Sequence, residues 1–189
     1  MRLISHASLK HLNSFGIAAT ARFLVQVHNE AELRTFVQSV TAKNLPVLVL
    51  GGGSNIVFSQ DYQGVVLNPN FKGVKCIVDD SERVIVEAAA GENWHEFVQY
   101  CLAQGWYGLE NLSLIAGTVG AAPIQNIGAY GVEVKDFIHS VKGFDFETND
   151  LLARSCMMFW CLSSISFMLF SRSEISLLLY ILDIMDSCM

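Results

Sequence analysis

The residues best suited to chemistry begin with five in a row, Gly51-Gly52-Gly53-Ser54-Asn55, which follow the apolar run 47–50. Glycine allows positive φ angles and close approach of the backbone to a ligand. Successive N–H groups in such a turn can form a nest for an anion. Ser54 and Asn55 add side-chain donors. The pattern predicts a pyrophosphate-binding turn, although a plain glycine-rich turn would have the same composition.

Two familiar phosphate loops do not fit this turn. A Rossmann fingerprint needs a third glycine where Ile56 stands, and it needs a helix that the sequence does not clearly show. A P-loop needs Lys followed by Ser or Thr after its last glycine, where Ser54 and Asn55 stand. The turn therefore matches neither of these two phosphate loops.

A second motif, residues 117–131, alternates glycine and alanine with amide side chains. Such a segment packs tightly and still offers many backbone donors and acceptors. A flat ring with a polar edge suits it, and an isoalloxazine gains negative charge near N1 on reduction, which nearby donors stabilise. Gln125, Asn126 or backbone N–H groups could supply these donors. The alternative is a buried turn of small residues whose amides are satisfied internally.

The elements that must position these motifs show clear boundaries. Asn29 and Glu32 predict a capping box before a helix with apolar residues at 33, 36, 37 and 40. The run 47–50 is typical of a buried parallel strand. Residues 75–78 and 83–88 predict two strands around a turn at 79–81.

A second capping box, Asn93 and Glu96, precedes apolar residues at 94, 97, 98, 101 and 102, and Gly105 is a plausible helix stop. Trp94 and Phe97 fit the helical core better than a cofactor contact. Because strands and helices alternate, the chain is expected to be α/β or α+β with mixed sheets.

Composition excludes several classes of protein. A net charge of −6 without a basic face argues against nucleic-acid binding. Residues 1–16 do not form an ordinary secretory signal, and five widely spaced cysteines suggest neither a disulfide framework nor a zinc site. His6 and His11 have no partner at a useful ligand spacing, so no metal site is expected. A cytoplasmic location is the default.

With these motifs, the chain resembles the UDP-N-acetylenolpyruvoylglucosamine reductase family. The turn at 51–55 resembles the pyrophosphate loop of that family, and residues 117–134 resemble its flavin-binding segment. Residues 13–22, 90–98 and 108–120 are also similar to family motifs. The resemblance covers roughly residues 9–149, with five motifs in the expected order.

The resemblance implies an α+β flavoprotein with the FAD-binding fold of the vanillyl-alcohol-oxidase type, in which two subdomains hold FAD. It implies NADPH as hydride donor and a UDP-sugar substrate, whose enolpyruvyl group is reduced to complete UDP-N-acetylmuramate for peptidoglycan. No metal or nucleic-acid partner is implied. Tyr130 is expected to contact the substrate. The residues expected to bind FAD are Gly51, Gly52, Gly53, Ser54, Asn55, Gly117, Thr118, Gly120, Ala121, Gln125, Asn126 and Gly131.

The chain departs from the family in two places. Ala116 replaces a usual proline. This change is expected to make the turn less rigid and to lower its stability by about 0.4–1 kcal/mol. After about Asp150 the family pattern stops, and residues 156–164 lack the expected segment with a substrate-facing tyrosine and arginine. The family's proton-donating serine and later glutamate cannot be assigned either, so no catalytic residue is expected. The second subdomain is expected to be incomplete and the substrate-binding domain absent.

Residues 151–189 contain no glycine or proline but five of the six methionines. A shifted reading frame is the favoured explanation, since the change of composition is abrupt. A membrane anchor is the second explanation, but the apolar run 155–170 is shorter than the roughly 18–20 residues needed to span a bilayer. A divergent helix is the third. The sequence thus leaves two functions open, the family's reductase and a non-catalytic FAD-binding fragment.

Overall fold

The computed structural model describes residues 1–39, 44–80, 82–146, 148–155 and 176–184. The chain divides into two compact units, residues 1–71 and 72–189. This division agrees with the expectation of two subdomains.

The first unit is built from β1 (Arg2–Ser8), β2 (Thr20–Val27), α1 (Glu30–Gln38), β3 (Val47–Val49) and β4 (Tyr62–Pro69). Its sheet has the order β1-β2-β4-β3, with β1 antiparallel to β2 and the other pairs parallel. The parallel strand predicted at 47–50 is therefore confirmed as β3. Its residues are only half-buried, because β3 lies at an edge of the sheet.

Helix α1 begins where the sequence predicts. The Asn29 side chain accepts a hydrogen bond from the Glu32 N–H at 2.9 Å, which satisfies one of the unpaired donors of the first turn. The Glu32 carboxylate accepts from the His28 N–H, one residue earlier than in a standard capping box. The predicted apolar residues at 33, 36 and 37 are buried, and Val40 lies outside the described residues.

The second unit contains an antiparallel sheet in the order β10-β9-β11-β6-β5 and a small β7-β8 hairpin. Its elements are β5 (Val74–Asp79), β6 (Val84–Ala88), α2 (Trp94–Ala103), α3 (Ala122–Gln125), β7 (Gly128–Ala129), β8 (Val132–Glu133), β9 (Ser140–Asp145), β10 (Asp150–Ser155) and β11 (Ser176–Ile184). The predicted strand pair at 75–78 and 83–88 is confirmed as β5 and β6. In the turn between them, Asp80 accepts the N–H groups of Glu82 and Arg83, and Ser81 lies outside the described residues.

Helix α2 supplies the core of the second unit. Asn93 caps it by accepting the Glu96 N–H at 3.1 Å. Its predicted apolar face is confirmed, because the side chains at 94, 97, 98 and 101 are buried and Leu102 packs against the same core. The Trp106 N–H bonds to the Cys101 carbonyl and the Gly105 N–H to the Leu102 carbonyl, with Gly105 at φ +81°. This is a Schellman ending, and it confirms Gly105 as the stop.

The described part of the tail is extended. β10 continues the second sheet beyond residue 150, and β11 lies between β9 and β6. The divergent-helix explanation therefore does not hold for residues 151–155 and 176–184. Most of the apolar run 155–170 lies outside the described residues, and within the described ones no helix has the length and apolarity needed to cross a bilayer.

Candidate functional site

The glycine loop, defined here as residues 51–55, leaves the end of β3 without regular secondary structure. Gly53 has φ +67°, and a Cβ placed on it would lie 1.9 Å from the Leu12 carbonyl oxygen. The Ser14 N–H donates to the Gly53 carbonyl at 3.1 Å. A glycine is therefore required at position 53, because the segment 12–14 approaches it closely. This packing fixes the shape of the loop.

Asn13 holds the segment that packs on Gly53. Its side-chain amide donates to the Leu9 and Ile17 carbonyls, at 2.8 and 3.1 Å, and its carbonyl oxygen accepts the Ile17 N–H at 2.9 Å. Asn13 is only 7% exposed, so these three bonds replace its hydration. Sequence reasoning noted the motif at 13–22 but gave Asn13 no role. The feature of the sequence that could have indicated this role is an amide side chain that lies between two apolar residues, Leu12 and Ile17.

Asn68, on β4, orients the start of the glycine loop. Its side chain donates to the carbonyls of Leu50 and Gly51, at 2.7 and 3.2 Å. The peptide bonds are trans, and in a trans peptide the N–H points opposite to the preceding carbonyl. The N–H groups of Gly51 and Gly52 are therefore directed away from Asn68, on the same side. Two successive donors directed away from Asn68 are groups that an anion can accept from.

The small-residue segment, defined here as residues 117–131, is held along its first part by residues 90–94. The Val119 N–H donates to the Glu92 carbonyl, and the Trp94 N–H donates to the Gly117 carbonyl. The Gly120 N–H donates to the Ala90 carbonyl, and a Cβ on Gly120 would lie 2.8 Å from Ala90. Gly120 is thus required for close packing and its N–H is already bonded.

Four of the predicted cofactor-binding residues meet around one shallow depression in the second unit. Its lining consists of Trp94, Ala116, Gly117, Thr118, Ala121, Ala122, Gln125 and Ile127. Because the Gly117 carbonyl points to Trp94, the following N–H, that of Thr118, points away from α2. In chemical type, the small residues Gly117, Thr118 and Ala121 and the outward N–H suit the polar edge of a flat ring such as a flavin. Trp94 itself is 1% exposed and belongs to the core, as expected.

Asn126 ends α3 in the left-handed conformation, with φ 43°. Its side-chain oxygen accepts the Lys135 N–H at 3.3 Å. The Asn126 side chain also bonds the Glu133 carboxylate, and together with the nearby Lys135 ammonium it lowers the pKa of Glu133, with Lys135 the larger cause. The side chain therefore holds the segment to β8, a role that the sequence did not indicate.

The segment closes in a tight hairpin between β7 and β8. Its two turn residues, Tyr130 and Gly131, have φ values of 54° and 86°, which is typical of a type I′ turn. The Tyr130 side chain is 87% exposed at the tip. Gly131 serves the turn, and Tyr130 is placed where it can reach a ligand in solution.

Comparison with known proteins gives a family and relatives. A family model described as an FAD binding domain matches residues 21–150. The UDP-N-acetylenolpyruvoylglucosamine reductase of Pseudomonas putida is 51% identical over 144 residues, which are 76% of this chain and 42% of that protein. The reductase of Chromobacterium violaceum is 55% identical over 128 residues, 68% of this chain and 38% of that protein. The chain thus spans about two fifths of the length of these curated relatives.

A solved structure shows the same fold. The crystal structure of UDP-N-acetylenolpyruvylglucosamine reductase from Thermus caldophilus matches with a TM-score of 0.64 and 22% identity, covering 97% of this chain and 60% of that chain. This likeness, together with the family match, confirms the expected α+β FAD-binding fold of the vanillyl-alcohol-oxidase type.

Proposed function

Since the chain belongs to the FAD binding domain family, we propose that it binds FAD through its glycine loop and its small-residue segment. The glycine loop would hold the pyrophosphate with the N–H groups of Gly51 and Gly52, supported by Ser54 and Asn55. The small-residue segment would line the isoalloxazine. The residues proposed for it are Gly117, Thr118, Gly120, Ala121, Gln125, Asn126 and Gly131.

The observation that carries this proposal is the orientation of the glycine loop by Asn68. Two carbonyls are fixed on one side of the loop at 2.7 and 3.2 Å from the Asn68 amide, so two successive N–H groups face the other side. A pyrophosphate needs such donors in place before it binds, because ordering them at binding would reduce affinity.

Gly120 and Asn126 would act in a different way from the rest of the set. The Gly120 N–H and the Asn126 side chain are already bonded within the protein. Their contribution to FAD binding would be the shape of the segment rather than direct polar contacts.

The proposal extends to the reaction named by the relatives. When bound, FAD supplies hydride chemistry, here from NADPH to the enolpyruvyl double bond of UDP-N-acetylenolpyruvoylglucosamine. This chain would hold the flavin, and Tyr130 would contact the sugar nucleotide from the hairpin tip. The product, UDP-N-acetylmuramate, serves peptidoglycan synthesis, which is consistent with a cytoplasmic protein without nucleic-acid, metal or membrane partners.

A second function, FAD binding without turnover, is favoured by one feature of the sequence. Residues 156–164 lack the tyrosine and arginine segment that the family resemblance places there. We propose that 1–150 is the FAD-binding domain and that 151–189 is a tail of different origin, produced by a shifted reading frame. Translation of the other two frames of the gene beyond codon 150 tests this, since a Tyr-Arg-Asp-Ser-like run is expected in one of them.

FAD binding is tested with the unmodified chain and a variant whose glycine loop carries an added negative charge. Gly52 is exposed and does not have a positive φ, so Gly52→Asp should fold normally while its carboxylate repels the pyrophosphate. FAD affinity, followed by quenching of flavin fluorescence, should fall at least about tenfold, or about 1.4 kcal/mol. Riboflavin, which lacks the pyrophosphate, should bind both proteins alike.

Ser59→Asp is the matched control, because it adds the same charge at an exposed position just after the glycine loop. It should bind FAD like the unmodified chain. Equal weakening by both substitutions, or none by Gly52→Asp, would refute the pyrophosphate assignment. NADPH oxidation dependent on the UDP-sugar would separate the reductase from the non-catalytic alternative.

A further inference from the structure

His95 occupies the first turn of α2, next to Trp94, and faces the turn that leads into the small-residue segment. Its Nδ1 lies 3.2 Å from the Leu114 backbone N and 3.2 Å from the Ser113 hydroxyl. A backbone N–H can only donate, so Nδ1 is the acceptor and the ring proton of neutral His95 is on Nε2. The hydroxyl can rotate to another partner, whereas the Leu114 N–H is fixed by its backbone.

Leu114 has an unusual backbone. Its φ is 63°, although leucine is bulky and has no polar side chain to stabilise the left-handed region, and the side chain is 80% exposed. Such a conformation persists only when surrounding structure enforces it. Packing of the exposed Leu114 side chain cannot enforce it. The hydrogen bond to His95 acts directly on the Leu114 N–H, and the next residue, Ile115, packs against the core of the second unit.

The same turn precedes the residues proposed to line the flavin. The Trp94 indole donates to the Leu112 carbonyl at 2.7 Å, and the Trp94 N–H donates to the Gly117 carbonyl at 3.1 Å. The bond from Leu114 to His95 falls between these two attachments. Residues 113–116 are thus a short arch whose ends are fixed by Trp94 and whose middle is held by His95.

We propose that His95 is a positioning residue: its Nδ1 holds Leu114 in the left-handed conformation and thereby sets the position of Gly117 and Thr118 against the flavin. The inference rests on the proposed FAD binding for its functional consequence. The hydrogen bond itself exists in the protein without FAD and can be tested there.

Two amide side chains that differ by one methylene, and therefore in the reach of their oxygen, test the bond. In His95→Asn the side-chain oxygen can occupy the position of Nδ1, whereas in His95→Gln it reaches the position of Nε2. We expect His95→Asn to keep slow hydrogen exchange at the Leu114 amide and FAD affinity within about twofold of the unmodified chain. His95→Gln and His95→Ala should speed that exchange and weaken FAD binding about tenfold.

Replacing Leu114 provides an independent test through the backbone. Glycine adopts a positive φ without strain, so Leu114→Gly should restore most of the FAD affinity lost in His95→Ala. The visible circular dichroism of bound FAD should change in His95→Ala and return in the double variant. A residue that only stabilised α2 would lower the unfolding temperature without such a rescue.

The outcomes separate this inference from the proposed function. If the unmodified chain takes up no FAD, the proposed function fails, and Leu114 exchange still decides whether His95 holds the arch. Equal exchange at Leu114 in the unmodified chain, His95→Asn and His95→Gln would overturn the positioning role, as would failure of Leu114→Gly to restore any affinity. If His95→Ala does not fold, the Asn and Gln variants give the same decision.

Discussion

Two glycines of the first unit have almost the same φ but are constrained by different forces. A Cβ added to Gly16, which has φ +63°, would meet no atom within 4 Å beyond its chain neighbours. At Gly53, with φ +67°, a Cβ would overlap the Leu12 carbonyl oxygen. Substitution at Gly16 meets only backbone strain. Substitution at Gly53 also forces the segment 12–14 away from the glycine loop.

We therefore expect Gly53→Ala to lower the free energy of unfolding by at least about 2 kcal/mol, through strain and overlap together. Gly16→Ala, the control, should lower it by about 1 kcal/mol. Urea denaturation of both variants measures the difference. Equal losses would mean that the segment 12–14 does not pack on Gly53 as described.

Tyr130 shows a conflict between local stability and the proposed function. Asn-Gly is the preferred pair in a type I′ turn, and a tyrosine with φ 54° at the first position is strained. Tyr130→Asn should therefore raise the free energy of unfolding by about 0.5–1 kcal/mol. If Tyr130 contacts the sugar nucleotide, the same variant should bind UDP-sugar more weakly in calorimetry. A more stable variant with unchanged binding would remove Tyr130 from the site.

The sequence could not reveal the roles of asparagines whose side chains form hydrogen bonds within the protein. Asn126 was assigned to the cofactor because its type and neighbours suit a flavin, but its side chain bonds the Lys135 N–H and the Glu133 carboxylate. Asn13 received no role, although it makes three backbone bonds. Sequence spacing shows which groups are available, whereas only the fold shows which are already paired.

At the scale of elements, local sequence was sufficient where a boundary depends on one or two side chains. Asn29, Asn93 and Gly105 all act at the helix ends where the sequence placed them. The register shift between Cys76 and Val78 in the β5–β6 pair had no local signal, because it depends on the partner strand. Local sequence patterns likewise do not show which strands that are distant in the chain pair with each other.

The start of α1 should respond to acid in a defined way. The N-terminal ammonium of Met1 is the first cause that lowers the pKa of Glu32 to about 2, and the His28 N–H contributes next. Since the folded pKa is below the unfolded value of about 4.3, this contribution to stability is complete above that value and is lost as pH falls toward 2.

Carbon-detected NMR titration of the Glu32 carboxyl should give the low pKa directly. Glu32→Gln should reduce the loss of stability between about pH 4.5 and 2. Glu30→Gln, which removes a charge from the same turn, controls for the change in net charge. A Glu32 pKa near 4.3 in the titration would contradict the contact with Met1.

At the scale of the whole molecule, the tail is where sequence pattern and structure differ most. The loss of the family pattern after residue 150 predicted a segment foreign to the fold, yet β11 lies in the middle of the second sheet. It pairs with β6 through residues 180–184 and with β9 through residues 176–181. An extended apolar segment of almost any origin can pair with the unpaired edges of two strands, because the hydrogen bonds of a sheet are formed by backbone groups. A strand in this position is therefore compatible with a tail of different origin.

Removal of the tail in two steps tests how far the second unit depends on β11. Deletion of residues 185–189 leaves β11 intact and should not change solubility or the unfolding temperature. Deletion of residues 176–189 removes β11 and leaves β6 and β9 each with an unpaired edge next to a core that includes Val86 and Val141. Such edges promote association between chains, so this variant should sediment as larger species or aggregate, whereas the shorter deletion should sediment like the unmodified chain. Equal behaviour of the two deletions in analytical ultracentrifugation would show that β11 adds nothing to the stability of the second unit.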